Sequence, residues 1–107
     1  MVKQYDIHWV SMDSNRGSEI KKTRPCLVIS PNLANKHLNT VLVAPLTSTL
    51  RKFPMRIDVS VKKKKGQIAL DQIRCVDKIR ISERIATLTE KEIENLKQIL
   101  KEFLIDD

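Results

Sequence analysis

The sequence predicts an α+β fold: about five or six antiparallel strands curled into a small half-barrel and closed by one C-terminal helix. Three observations carry this reading. Short apolar segments rich in β-branched residues, each bounded by turn residues, fill roughly the first two-thirds of the chain. Residues 55–61, Met-Arg-Ile-Asp-Val-Ser-Val, alternate apolar and polar without a break. After Thr89 the period changes, and Ile93, Leu96, Ile99, Leu100, Phe103 and Leu104 recur at helical spacing. At 107 residues a single domain over 1–107 is expected. Surface scaling gives roughly 6,100 Å² exposed when folded against roughly 18,000 Å² unfolded, so a core forms without staples.

In chain order, residues 5–12 read as a strand of aromatic and β-branched residues. Residues 13–24 are polar and turn-rich, a loop long enough that function is suspected. Pro25 ends that loop, and residues 26–30 make a compact buried strand. Residues 31–39 read as a loop or a single helical turn. Residues 40–46 are continuously apolar, as in a central strand, and Pro45 implies that pairing stops or bulges there. Thr47-Ser48-Thr49 and then Arg51-Lys52 form a second polar, basic loop. Met55, Ile57, Val59 and Val61 face the core, and residues 62–65 with Gly66 connect a hairpin. Residues 67–76 follow as one long, bent strand. Thr89 as N-cap with Glu92 three residues on is a capping box, and the helix over 90–104 spans about 22 Å.

The charge is divided. Residues 1–88 carry a net +10 and residues 89–107 a net −3, within an overall +7. A basic body with an acidic tail suits a polyanionic partner, nucleic acid before a membrane surface. Nothing approaches the roughly 20 apolar residues of a spanning helix. The opening Met-Val-Lys-Gln-Tyr-Asp has no apolar export signal, so a cytoplasmic location is expected. Cys26 and Cys75 lie in apolar runs and read as reduced, buried thiols. They show no zinc-ligand spacing with His8 and His37. His8, in mid-strand, reads as a structural histidine.

Much familiar chemistry is excluded by composition. With Gly17 and Gly66 as the two glycines there is no phosphate-cradling loop, and no Gly-x-Ser-x-Gly elbow exists. What remains is polar residues at strand ends: Gly17-Ser18-Glu19 in the first loop, Arg24-Pro25, Thr47-Ser48, and Asp71-Gln72-Ile73-Arg74. An arginine before a buried strand is placed to hold a phosphoryl group. Hydroxyls at a neighbouring strand end can donate to a developing oxyanion. Each has an ordinary alternative: Thr47-Ser48 as turn formers, Asp71 with Arg74 as a salt bridge.

The residues from Gly17 to Pro31, Gly-Ser-Glu-Ile-Lys-Lys-Thr-Arg-Pro-Cys-Leu-Val-Ile-Ser-Pro, resemble the MazF/PemK family of toxin endoribonucleases. Ala44-Pro45-Leu46-Thr47-Ser48 matches that family's second block, and residues 69–78 match its third. The Trp9 strand and the final helix also fit. The resemblance implies a small SH3-like antiparallel β-barrel with a C-terminal helix (CcdB/PemK-like), working as a homodimer. It implies metal- and cofactor-independent cleavage of single-stranded RNA, and an antitoxin whose acidic, flexible segment covers the same groove. By position, Arg24 and Thr47 match the family's catalytic pair and Glu19 and Ser18 its mobile loop, while Asp71, Gln72 and Arg74 match the third block. Some relatives carry His at the position of Ser18 and Arg at that of Ala69, so acid–base roles built on those residues do not apply here.

Metal-free RNA cleavage needs the 2′-OH to attack the adjacent phosphate, and charge then accumulates on the phosphoryl oxygens. Arg24 would stabilise that charge while Thr47 and Ser48 donate hydrogen bonds. Glu19 is the first candidate for general base and Asp71 the second. The RNA groove is expected among Arg16, Lys21, Lys22, Arg24, Arg51, Lys52 and Arg74, with residues 62–65 as a solvated hairpin tip. Two other readings stand beside this one: a non-catalytic poison of a protein target such as gyrase on the same fold, and a basic nucleic-acid-binding module.

Overall fold

Residues 2–12 and 22–106 are described in a computed structural model of the chain. The strands are β1 (Asp6–Ser11), β2 (Thr23–Val28), β3 (Thr40–Thr47), β4 (Arg56–Val61), β5 (Lys64–Ala69), β6 (Arg74–Asp77) and β7 (Ile81–Thr87). The helices are α1 (Asn32–His37) and α2 (Glu90–Leu100). The sheet runs β4-β5-β3-β2-β1-β7, with every pairing antiparallel and β6 also on β3.

Strand β3 explains the curl. One edge pairs with β2 up to Cys26–Pro45. The other edge is shared: Thr40 to Val43 pair with β6, and Leu46 and Thr47 pair with β5. The β2 ladder stops at Pro45, as a residue without an N–H leads one to expect. The inward face holds Ile7, Leu27, Ala44, Leu46, Ile57 and Ile68, covered by Leu96 of α2 with Ile93, Ile99 and Leu100 beside it. The opposite face buries Val10, Cys26, Val28, Val41, Val43 and Val76. Cys26–Val28 of β2 and Val43–Leu46 of β3 are thus buried on both faces, which is why they read as unbroken apolar runs rather than alternating ones.

Several expectations are corrected. The strand after the first loop begins at Thr23, so Arg24 and Pro25 lie within it. Residues 67–76 are not one strand: a 3-10 turn at Leu70–Gln72 separates β5 from β6. The hairpin turns on Lys62 and Lys63 alone, both at positive φ (50° and 66°), leaving Gly66 inside β5. This two-residue turn matches the strand twist, although Asn-Gly is its usual sequence. Strand β7 has no counterpart in the sequence reading. It is mostly exposed, and its register against β1 shifts twice, so no clean period marks it. Cys75 is exposed while Cys26 is buried.

Helix α2 begins as expected. Thr89 N–H donates to Glu92 Oε1 at 2.8 Å, and Glu92 N–H to Thr89 Oγ1 at 3.2 Å. It ends early, in a π-turn at Lys101–Ile105 where Asp106 N–H bonds the Lys101 carbonyl. The wider turn breaks the helical period, and Phe103 and Leu104 stand exposed rather than in the buried stripe.

Candidate functional site

At one mouth of the half-barrel the start of β2, the end of β3 and the β4–β5 hairpin enclose a groove of about 480 Å³. Its floor is apolar: Trp9, Pro25, Leu46, Val59, Val61 and Ile85. One rim carries Thr23, Arg24, Thr47 and Ser48, and the hairpin supplies Lys62, Lys64 and Lys65. The lysines expected at a solvated hairpin tip therefore stand over the groove.

Arg24 and Thr47 share the groove rim. Arg24 lies two residues before Cys26 on β2 and Thr47 two residues after Pro45 on β3, so both stand just past the last paired position of that ladder. Arg24 is exposed at the sheet end and Thr47 is half-buried. Thr47 Oγ1 accepts from Thr49 N–H at 3.1 Å, so its own O–H points a proton elsewhere, with no acceptor among the described residues. Trp9 is 39% exposed, a flat aromatic surface on the groove floor.

The other candidates divide. Ser48 lines the groove beside Thr47. Lys22, Arg51, Lys52, Asp71, Gln72 and Arg74 are exposed but do not line it. Arg16, Ser18, Glu19 and Lys21 lie outside the described residues. Arg74 is near enough to Cys26 that it and Arg24 both act on the thiol. Burial nevertheless dominates and pushes Cys26 up to about 11, so this thiol stays protonated at neutral pH and is no nucleophile. His8 is buried: Nδ1 donates to the Ser82 carbonyl at 2.8 Å, and Nε2 has no partner among the described residues.

Asp71 is engaged elsewhere. Its carboxylate takes Arg56 Nε at 2.7 Å and Nη2 at 3.2 Å, and the Arg56 guanidinium lies over the Phe53 ring. The partner is Arg56, not Arg74. Hydrogen bonds from Arg56 hold the Asp71 carboxyl below the usual carboxylate range, the wrong direction for a general base. A depressed pKa contributes stability that is fully present above the unfolded carboxylate value, near 3.9, and is lost as pH falls through the lowered folded value. Asp71→Asn should therefore lower stability at pH 7 by about 0.5–1 kcal/mol, with the gap narrowing as the carboxyl protonates. Thermal melts from pH 7 to 2.5 check this; a pH-independent gap contradicts it.

Sequence reasoning did not single out Trp9, Gly66 or Gln67. An aromatic in an alternating strand reads as core, and a glycine after four lysines reads as a turn. Only the curl of the sheet reveals that they meet Thr47 or its groove.

The model of the PemK-like, MazF-like toxins of type II toxin–antitoxin systems matches residues 3–104. The chain belongs to that family. Solved structures agree on the fold of this MazF-like toxin. An endoribonuclease in complex with its cognate antitoxin, from a mycobacterial species, is similar at a TM-score of 0.81 and 20% identity, over 97% of this chain and 95% of that one. The toxin MazF-mt6 of Mycobacterium tuberculosis gives a TM-score of 0.77 at 21% identity, over 91% and 93% of the two chains. A MazE–MazF structure from Deinococcus radiodurans gives 0.78 at 19% identity, over 99% and 97%. Among the described residues, no helix of the toxin is long and apolar enough to cross a membrane.

Proposed function

We propose that this MazF-like toxin is a metal-independent endoribonuclease that cuts single-stranded RNA, mRNA among its targets, in the groove between Arg24 and the hairpin lysines. The observation that carries this is that Arg24, Thr47 and Ser48 share the rim of one groove with an apolar floor and a lysine wall. Lysines along the wall take backbone phosphates, and Trp9 offers a base a stacking surface. The 2′-OH attacks the adjacent phosphorus, forming a 2′,3′-cyclic phosphate and releasing the 5′-oxygen, which leaves as a 5′-OH. Arg24 binds the phosphoryl oxygens as their charge grows, and Thr47 and Ser48 donate hydrogen bonds to them. Glu19, five residues before Arg24 in the chain, is the proposed base, since Asp71 is held by Arg56.

The partners follow from the same features. Two of the similar structures hold an antitoxin with its toxin. An acidic, flexible antitoxin segment would meet the same lysine wall and so compete with RNA. A second copy of the chain suits the β3–β6 pair, where Leu42 stands opposite Cys75 and both are exposed. Two-fold pairing is the commonest closed arrangement.

Incubation of the protein with a long single-stranded RNA in EDTA tests the reading. Discrete fragments with cyclic phosphate and 5′-OH ends are expected. Intact RNA, or cutting only with magnesium, overturns the mechanism, and intact RNA with growth inhibition points to a non-catalytic toxin.

A further inference from the structure

The outer face of the sheet carries a polar row across three strands. Thr47 is paired with Gln67, and Gln67 is paired with Asp58. Gln67 is buried, which is unusual for so polar a side chain unless every amide atom is satisfied. It is satisfied. Its Oε1 accepts from Arg51 N–H at 2.9 Å, and its Nε2 donates to the Arg51 carbonyl at 3.0 Å and to Asp58 Oδ1 at 2.8 Å. The side chain thus takes both main-chain groups of Arg51, as a neighbouring strand would, and pins the segment that follows Thr47 and Ser48. Asp58 fixes which way the amide faces, because a carboxylate accepts only from the NH2 end.

The residue before it acts on the same strand end. A Cβ on Gly66 would lie 3.1 Å from the Thr47 carbonyl oxygen, so β5 approaches this closely because position 66 is glycine. The Thr47 hydroxyl is in turn tied to Thr49 N–H within the pinned segment.

We infer that Gln67, oriented by Asp58 and assisted by Gly66, is the positioning residue that holds Thr47 and Ser48 in place for phosphoryl contact. The inference rests on the catalytic reading of Thr47 above. Gln67 touches no substrate; it acts through the main chain of Arg51.

Steady-state RNA cleavage by the full chain provides one arm of the test. Gln67→Ala should lower kcat about ten- to a hundredfold, the scale of a small misplacement, with KM changed less than about threefold. In a Thr47→Ala background the same substitution should cost less than about threefold, because the two act as a unit. Gly66→Ala should lower kcat in the same sense. Gln67→Glu should be impaired by repulsion from Asp58, and adding Asp58→Asn should restore part of the loss. Equal losses in both backgrounds, a loss carried by KM, or wild-type kcat in Gln67→Ala overturns the inference. The second arm reads no activity: amide hydrogen exchange at Arg51 and Thr49 should speed up in Gln67→Ala or Gln67→Glu, while Val43 and Ile68 stay protected. Unchanged exchange at Arg51 and Thr49 overturns the positioning role, whereas a wild type that cuts no RNA yet shows the faster exchange in its variants overturns only the proposed function.

Discussion

Arg24→Ala should reduce RNA cleavage to below detection while the protein melts at the wild-type temperature. The two halves of that outcome have separate causes. Arg24 is exposed at the entrance of β2, so truncating it opens no cavity. Its guanidinium is the charged group on the groove rim beside Thr47, and a delocalised, permanently charged fork is what a phosphoryl group gaining negative charge requires. Lysine at this position should recover little, because a point charge does not reproduce the fork. Thr47→Ala removes one donor rather than a charge, and should cost on the order of a hundredfold or more in kcat. Single-turnover cleavage of a labelled RNA separates these cases. A wild-type rate for Arg24→Ala means that the pair is not catalytic, whatever else the groove binds.

The second large effect is on stability. Leu96 is the one residue of α2 with no exposed surface, and it packs into the inward core against the curled sheet. Leu96→Ala should destabilise the protein by about 2–5 kcal/mol, the transfer term plus the cavity left behind. A domain of this size has roughly 5–15 kcal/mol in total. Urea unfolding followed by circular dichroism should show the midpoint moving far down with little change in slope. Leu100→Ala, at a half-buried position of the same helix, should cost less. A loss below about 1 kcal/mol at Leu96 would mean that the helix is not the lid of the barrel.

Much of this architecture was legible in the residues. The break at Pro45 follows from a missing N–H, the inward set Ile57 and Val59 from alternation, and the start of α2 from the reciprocal bonds of Thr89 and Glu92. These are local effects, and each is written in a few adjacent residues. Strand β7 escaped because a half-exposed strand with two register shifts shows no period. The end of α2 escaped because a π-turn depends on packing rather than on propensity.

The site divides along the same line. Arg24, Thr47 and Ser48 were legible as strand-end polar residues carried by a family resemblance. Lys62, Lys64 and Lys65 are exposed, as a solvated tip requires, and the curl of the sheet also sets them over the groove. Asp71 was read as a pair with Arg74 or as a base, but its neighbour in space is Arg56, fifteen positions away. The sequence by itself determined most of the strands and the C-terminal helix, the buried runs within β2 and β3, the basic body and the family. Tertiary structure alone decided which polar residues meet: the Thr47–Gln67–Asp58 row, Arg24 beside it on the groove rim, the Gly66 approach and the engagement of Asp71. The physical reason is that alternation and capping are properties of a chain with itself over a few residues. Register and curl are set by the packing of all the strands at once, and no local pattern encodes them.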